Sequence, residues 1–456
     1  MLFPILLISK FKEKKPKTST FAKILDIMKK TLLITIAFVA LLSCSKKDFN
    51  HVEAFEGIVA DLASPEFAGR SLYQDGELRA ANYIVEKFNE FCTSDFTVKP
   101  CFQHFNYPLN TTRGDMFFAV DGKEYKAFED YVVKEFSTGA DRTMPIIYAL
   151  EEGIYTPDRF ASHLGSLGAE NAFVILDYDK FHTLPSEGDR YFKYLKDLNI
   201  GGVIFKFSKK PNYFKARAFF TTPFPVVCVG PEFPADAKEA TVKFQNEFIE
   251  DYTSQNVFAK IEGTSDSDSC WMFIAHYDHL GMMGRDNVCL GVNDNASGTA
   301  AVLTLAQYYS QPENRPELDM VFLWVGGEEA NLLGSRYYVE NPLFPLENIK
   351  YLINLDMIGD TPDMLYHEGG PEADKGLELF MEINKAHGYF PNPHRGELVD
   401  NSDHYYFAMA GVPAMYFESK GEFYKYYHSP ADNLEHFTSE SYKRIFEMVK
   451  EFIQRY

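Results

Sequence analysis

Three apolar runs in this chain end alike. WMFIAH (271–276) closes on His276, MVFLWV (320–325) leads into two glycines and the acid pair Glu328–Glu329, and YLINLD (351–356) closes on Asp356. Runs of this length bounded by polar stretches such as DHLGMMGRDN predict buried strands followed by loops. Each then delivers an acid or imidazole at its carboxyl end, the crevice where open α/β sheets hold their ligands. Helical periodicity brackets these strands. After a Gly69–Arg70 turn, Ala80, Ala81, Ile84, Val85 and Phe88 recur at helical spacing, and near the end Ile445, Met448, Val449 and Ile453 share one face of a helix that opens on capping residues in FTSES. Between them, roughly 109–254 carries its own strand-like runs, AFVILDY (172–178), IGGVIFKF (200–207) and TPFPVVCVG ending at Gly230, with a helical DRYFKYLKDLN before the second. That segment reads as an inserted domain.

The polar ends of these runs suggest a metal site. His276 in HYDHLG, Asp294 in GVNDNASG, Glu328 and Glu329 in GGEEA, Asp356 in INLDMIGD and His428 in YYHSPADN are far apart in sequence but alike in chemistry. Zinc takes imidazole nitrogen and carboxylate oxygen readily, and a catalytic site keeps positions open for water and substrate. Two histidines and three carboxylates suffice for two such ions.

Taken as a series, HYDHLG, NDNASG, GGEEANLLGS, INLDMIGD, SDHYYFAMAGVPAMYF and YHSPADN resemble the motifs of the co-catalytic dizinc exopeptidases, a family that includes secreted bacterial leucine aminopeptidase, aminopeptidase Y and glutamate carboxypeptidase. The likeness covers roughly 51–108 and 255–456, in the family's order. It implies an α/β fold with a mixed, mostly parallel central sheet flanked by helices, and an exopeptidase that uses two zinc ions, foremost an aminopeptidase hydrolysing amino-terminal residues from peptides. It also implies roles: Asp294 bridges both ions, His276 and Asp356 complete one, Glu329 and His428 complete the other, Glu328 is the general base, and Asp278 orients His276. A cis peptide bond is expected between Asp294 and Asn295. The insert, 109–254, resembles the protease-associated domain that several members carry, with an unrelated small αβ domain as the alternative.

Other residues invite rival readings. Ser402, Asp403 and His404 contain the members of a hydrolytic triad, yet three consecutive side chains cannot converge as a triad requires, so a helix cap and packing motif is expected. His279, His394 and His404 lie outside the matched ligand positions and are expected to be loop or supporting polar groups. Tyr424, Tyr426 and Tyr427, just before His428, could line a substrate cavity or simply pack. Asp360 and Gly327 depart from the residues usual beside these ligands and leave side-chain preference open. No motif separates an amino-end from a carboxyl-end peptidase. A glutaminyl-cyclase-like transferase with one zinc and a metal-free receptor-like protein of the same fold are the alternatives. The retained His276 and Asp356 argue for hydrolysis.

The amino end carries a second signal. From Met28 to Cys44, MKKTLLITIAFVALLSC has two lysines, a short apolar run and a Leu-Leu-Ser-Cys tetrad, the form of a bacterial lipoprotein signal. The expected organisation is a signal at 28–43, an acylated Cys44, a linker at 44–50, and translation starting at Met28 so that 1–27 lies upstream. This places the protein in the bacterial cell envelope, held to a membrane through lipid alone. Residues 1–43 hold eight lysines and two acids, so the rest of a chain of net charge −20 is more acidic still, which excludes nucleic acid as a natural partner. After Cys44 five cysteines remain, of which Cys92 and Cys101 are close enough in sequence to bridge; none has the paired spacing of a thiolate zinc site.

Overall fold

A computed structural model describes residues 49–456, apart from positions 72, 187, 214–217 and 219. The signal expected at 28–43, Cys44 and residues 1–27 lie outside the described residues. The strand Cys270–His276 is buried at every position and runs parallel to Asp319–Val325 on one side and Ile349–Leu355 on the other. Strands covered on both faces read as continuous apolar runs, which is why these segments lack alternation. Register pairs Val325 with His276, so neighbouring strands end level and their loops open on the same edge. Ala414–Ser419 extends the sheet in parallel beyond Ile349–Leu355, while Met364–Gly369 is antiparallel to it, giving a mixed, mostly parallel sheet.

Helices cover this sheet. Gly298–Tyr309 is almost wholly buried, and Gly76–Phe91 buries Ala80, Ala81, Ile84 and Phe88 against the same core, with Val85 half-buried. Glu440–Arg455 closes the structure through Ile445, Met448, Val449 and Phe452. Its Ser439 makes no side-chain cap; Thr438 Oγ1 accepts the Glu440 N–H at 3.4 Å instead, because the Ser439 hydroxyl donates to Glu56.

Positions 109 and 254, expected as the limits of an insert, fall inside two long strands. Thr97–Val120 and Glu239–Ile261 pair antiparallel from Thr97 opposite Ile261 to Val120 opposite Ala240. At one end Glu239–Ile261 borders Asp319–Val325; at the other it borders Ala140–Ala149, from which a parallel set continues through Phe173–Asp177, Gly202–Lys206 and Val226–Val229. The second sheet has its own apolar core, which also takes in Leu280, Met283 and Cys289 from the loop after His276. Cys92 and Cys101 are both free.

Candidate metal centre

His276 ends its strand with Nε2 3.2 Å from Asp356 Oδ1 and 3.3 Å from Asp294 Oδ1. His428 approaches the other oxygen: its Nε2 is 3.1 Å from Asp294 Oδ2 and 3.3 Å from Glu329 Oε2. Asp294 therefore stands between two groups, one oxygen toward each, and all five expected ligand residues meet. The Asp294–Asn295 peptide bond is cis.

The chain around Asp294 explains the NDN pattern. Asn293 Oδ1 accepts the Gly359 N–H at 2.8 Å, and Asn295 Oδ1 accepts those of Gly298 and Met357 at 2.8 and 3.2 Å, so the flanking amides tie this loop to the one following Asp356. Asp432, from HSPADN, accepts the main-chain N–H groups of Asn293 and Asp294 at 2.8 and 3.0 Å. Arg70 is fully buried and donates to the carbonyl oxygens of Leu62, Tyr277, Leu290, Gly291 and Asp294. It joins the opening segment to two ligand loops.

Asp278 acts differently from expectation. The His276 Nδ1 lies 3.1 Å from the Asp278 carbonyl oxygen, with the carboxylate farther off at 3.8 Å. That carboxylate instead accepts the main-chain N–H of Glu328 at 3.1 Å and of Glu329 at 3.3 Å. Gly327, at φ +66°, turns the chain from strand into acid pair, a left-handed geometry that favours glycine.

The Ser402–Asp403–His404 run does not converge. Ser402 Oγ donates to Asp356 Oδ2 at 2.7 Å and accepts from Asn354, while His404 Nε2 sits 2.9 Å from the buried Glu368. The cap expected here is absent: Asp403 precedes the helix His404–Met409 without a side-chain capping bond, and the Ser402 hydroxyl beside it serves Asp356 instead. His394 lies exposed on an edge strand against Tyr366, away from this centre. His279, in contrast, is inside it, with Nδ1 2.8 Å from Glu329 Oε1. In the sequence its only signal is adjacency to Asp278.

A cavity of about 130 Å³ opens on His276, Asp356, Glu328 and His428. Tyr424 lines it, Tyr427 lines it while stacking on His428 at 3.7 Å, and Tyr426 packs instead on His436 at 3.9 Å. Its far wall carries Tyr416, Glu418 and Lys420, with Glu418 and Lys420 paired at 3.1 Å. Asp360 accepts the N–H groups of Gly421 and Phe423, each at 2.9 Å, and so pins the loop that leads to the tyrosines.

Burial raises the Glu328 carboxyl well above the ordinary range, His276 opposing and Glu329 adding. Burial acts likewise on Glu329, but His428 and His279 outweigh it and hold that carboxyl at about 2. His428 goes the other way: burial favours its neutral ring, yet Glu329 and Asp294 raise it to about 10. So many buried anionic oxygens need positive charge, from protons on imidazole or from metal ions. The donor set of imidazole and carboxylate suits zinc. Asp294 Oδ2 and Glu329 Oε1 are moreover buried without a hydrogen-bond partner, as atoms that serve a cation would be. The residues present fit a pair of zinc ions.

Residues 256–453 match the family model described as Peptidase family M28. Leupeptin-inactivating enzyme 1 of Streptomyces exfoliatus is 32% identical over 180 residues, 39% of this chain and 39% of that protein. An aminopeptidase of Pseudomonas aeruginosa is 41% identical over 92 residues, 19% of this chain and 16% of that protein. The chain thus spans well under half the length of these curated relatives. Among solved structures, a zinc aminopeptidase from Bacillus subtilis superposes with a TM-score of 0.64 at 21% identity, over 89% of this chain and 95% of that one. An aminopeptidase from Aneurinibacillus sp. strain AM-1 does so at 0.62 and 19%, over 89% and 93%. The overall fold, including most of the segment between the two long strands, is shared with them.

Proposed function

We propose that this chain, whose residues 256–453 match the model described as Peptidase family M28, is a zinc-dependent exopeptidase that removes residues from the amino ends of peptides. The observation that carries this reading is Asp294 between two ligand groups, with Glu328 beside them in the same cavity. When bound, a zinc pair supplies Lewis acidity toward the scissile carbonyl and an attacking water.

The protein's own groups supply the rest. Glu328, raised by burial, accepts the proton of the attacking water and returns it to the leaving amine, serving as base and then acid. Asp278 fixes the main chain of Glu328, and Ser402 fixes Asp356. Glu418 and neighbouring acids offer a counter-charge for a free α-amino group, and the aromatic wall at Tyr416, Tyr424 and Tyr427 excludes water from the side chain next to it.

The envelope location belongs to the same proposal. The lipobox-like tetrad ending at Cys44 supports acylation and attachment to a bacterial membrane, with the peptidase facing the periplasm or cell surface. The segment 109–254 is proposed to be a protease-associated domain that restricts access to the cavity or adds substrate contacts.

Zinc analysis of purified protein, together with a panel of amino-acid arylamides, amino-blocked peptides and carboxyl-end substrates, tests the reading. About two zinc ions per chain and turnover of unblocked arylamides alone are expected. One ion with cyclase activity, or no ion and no turnover, overturns it.

A further inference from the structure

His279 is wholly buried, and its Nδ1 lies 2.8 Å from Glu329 Oε1 and 3.6 Å from Asp294 Oδ2. Short as the first separation is, neither atom has a partner in hydrogen-bonding geometry, and neither do His279 Nε2 and Asp294 Oδ2. A buried imidazole within ion-pair distance of two carboxylates, yet out of line for a hydrogen bond with either, is arranged as a donor around a cation. The ring has little free space around it. Its main-chain N–H is held by the Arg70 carbonyl at 3.1 Å, and Gly291 packs so closely that an added Cβ would lie 2.4 Å from the ring.

We propose that His279 is a fourth protein ligand on the Glu329 side of Asp294, which makes the two metal positions unequal. This rests on the two-zinc reading above. His276, Asp294 and Asp356 form one three-ligand set; His279 stands with Asp294 and Glu329 in a second, which His428 joins from 3.1 Å at Asp294 and 3.3 Å at Glu329. Zinc bonds of about 2.0–2.2 Å in a tetrahedron place ligand atoms roughly 3.3–3.5 Å apart. The observed separations of 3.1 Å from His428 to Asp294, 3.3 Å from His428 to Glu329 and 3.6 Å from His279 to Asp294 lie near that spacing, and the 2.8 Å from His279 to Glu329 Oε1 is shorter than it.

The surroundings agree. The cavity beside Asp278, His279 and Glu329 is only about 10 Å³, too small for a substrate, whereas the 130 Å³ cavity opens on all three ligands of the His276 side and, from the other side, on Asp294 and His428 but not on His279 or Glu329. A closed four-ligand position is the form of a structural zinc, and a three-ligand position keeps room for water. The His279 side therefore fills first and holds its ion more tightly, and the His276 side carries the exchangeable position.

Titration of the metal-free full-length protein tests this, with zinc followed by calorimetry and cobalt(II) by visible absorption. The wild type is expected to bind two ions in separable steps, the first cobalt giving the intense band of a tetrahedral ion. In His279→Ala the tighter step weakens about tenfold or more and that band fades, while the other step stays within about twofold. His279→Cys, which keeps a ligand atom, is expected to add a thiolate-to-cobalt charge-transfer band in the near ultraviolet. Unchanged binding in the alanine variant, a weaker step with an unaltered first-cobalt band, or a folded cysteine variant without the new band each overturns the assignment. Fewer than two ions in the wild type would instead remove the two-zinc reading itself, and the assignment with it.

Discussion

The Asp278 carboxylate accepts the main-chain N–H of Glu328 at 3.1 Å, so the proposed base is held by an acid fifty residues away rather than by its own strand. Because Glu329 is held by the other oxygen, one side chain sets the position of both acids. Asp278→Ala is expected to lower kcat about 10- to 100-fold with little change in KM, and to weaken the ion bound by Glu329. Steady-state kinetics with metal titration checks it; an unchanged kcat removes Asp278 from this positioning role.

Glu328→Gln keeps the shape of the site and loses the proton acceptor. The expected outcome is a fall in kcat of about 10²–10⁴ with both zinc ions retained. If the variant turns over normally at full metal content, Glu328 is not the base.

Arg70 bonds five carbonyl oxygens and carries a guanidinium whose pKa burial lowers to about 10, with Asp294 and Asp432 opposing. Removing it strands those carbonyls in an apolar interior, at roughly 1–3 kcal/mol each if none is rescued by water. Arg70→Ala should cost at least about 3 kcal/mol in denaturant unfolding. Arg70→Lys should recover little, since an ammonium cannot fork among so many acceptors. Wild-type stability in either variant would show that the loops hold together by other means.

Stability without metal should fall as pH rises from 5 to 8. Burial raises Asp403 and Glu418 to about 7 and Asp432 to about 6, so the folded state binds protons that the unfolded chain releases near pH 4. Their contribution is full below about pH 4 and is lost as pH climbs through 6 to 7. Raised His428 acts in the same direction. Glu329, held at about 2, acts oppositely: its contribution is present above its unfolded value and is lost only as pH falls toward 2. Saturating zinc should flatten the decline, because its ligands bind deprotonated. Thermal melts with chelator and with zinc measure both effects, and a chelated protein that melts higher at pH 8 than at pH 5 contradicts the account.

Much of the site was legible beforehand. His276 and Asp356 ended apolar runs, and the motif series assigned Asp294, Glu329 and His428, all of which meet. The domain limits were less legible, since 109 and 254 sit in strands that continue unbroken from one sheet to the other and leave no compositional seam. His279 is not legible in the sequence because nothing in HYDHLG states which way a ring after Asp278 turns. Ser402 read as a cap because its contact with Asp356 spans a separation no local pattern records.

Hydrophobic periodicity and side-chain chemistry by themselves determined the strands, the helices and which donors could hold zinc, because those properties depend on neighbours a few positions away. Which oxygen of Asp294 faces which histidine, what Asp278 and Arg70 hold, and that Glu418 and Lys420 wall the cavity were decided only when loops from distant segments packed on one sheet edge. Hydrogen bonds and ion pairs reach only about 3 Å, so their partners are set by the folded path of the chain and not by its order.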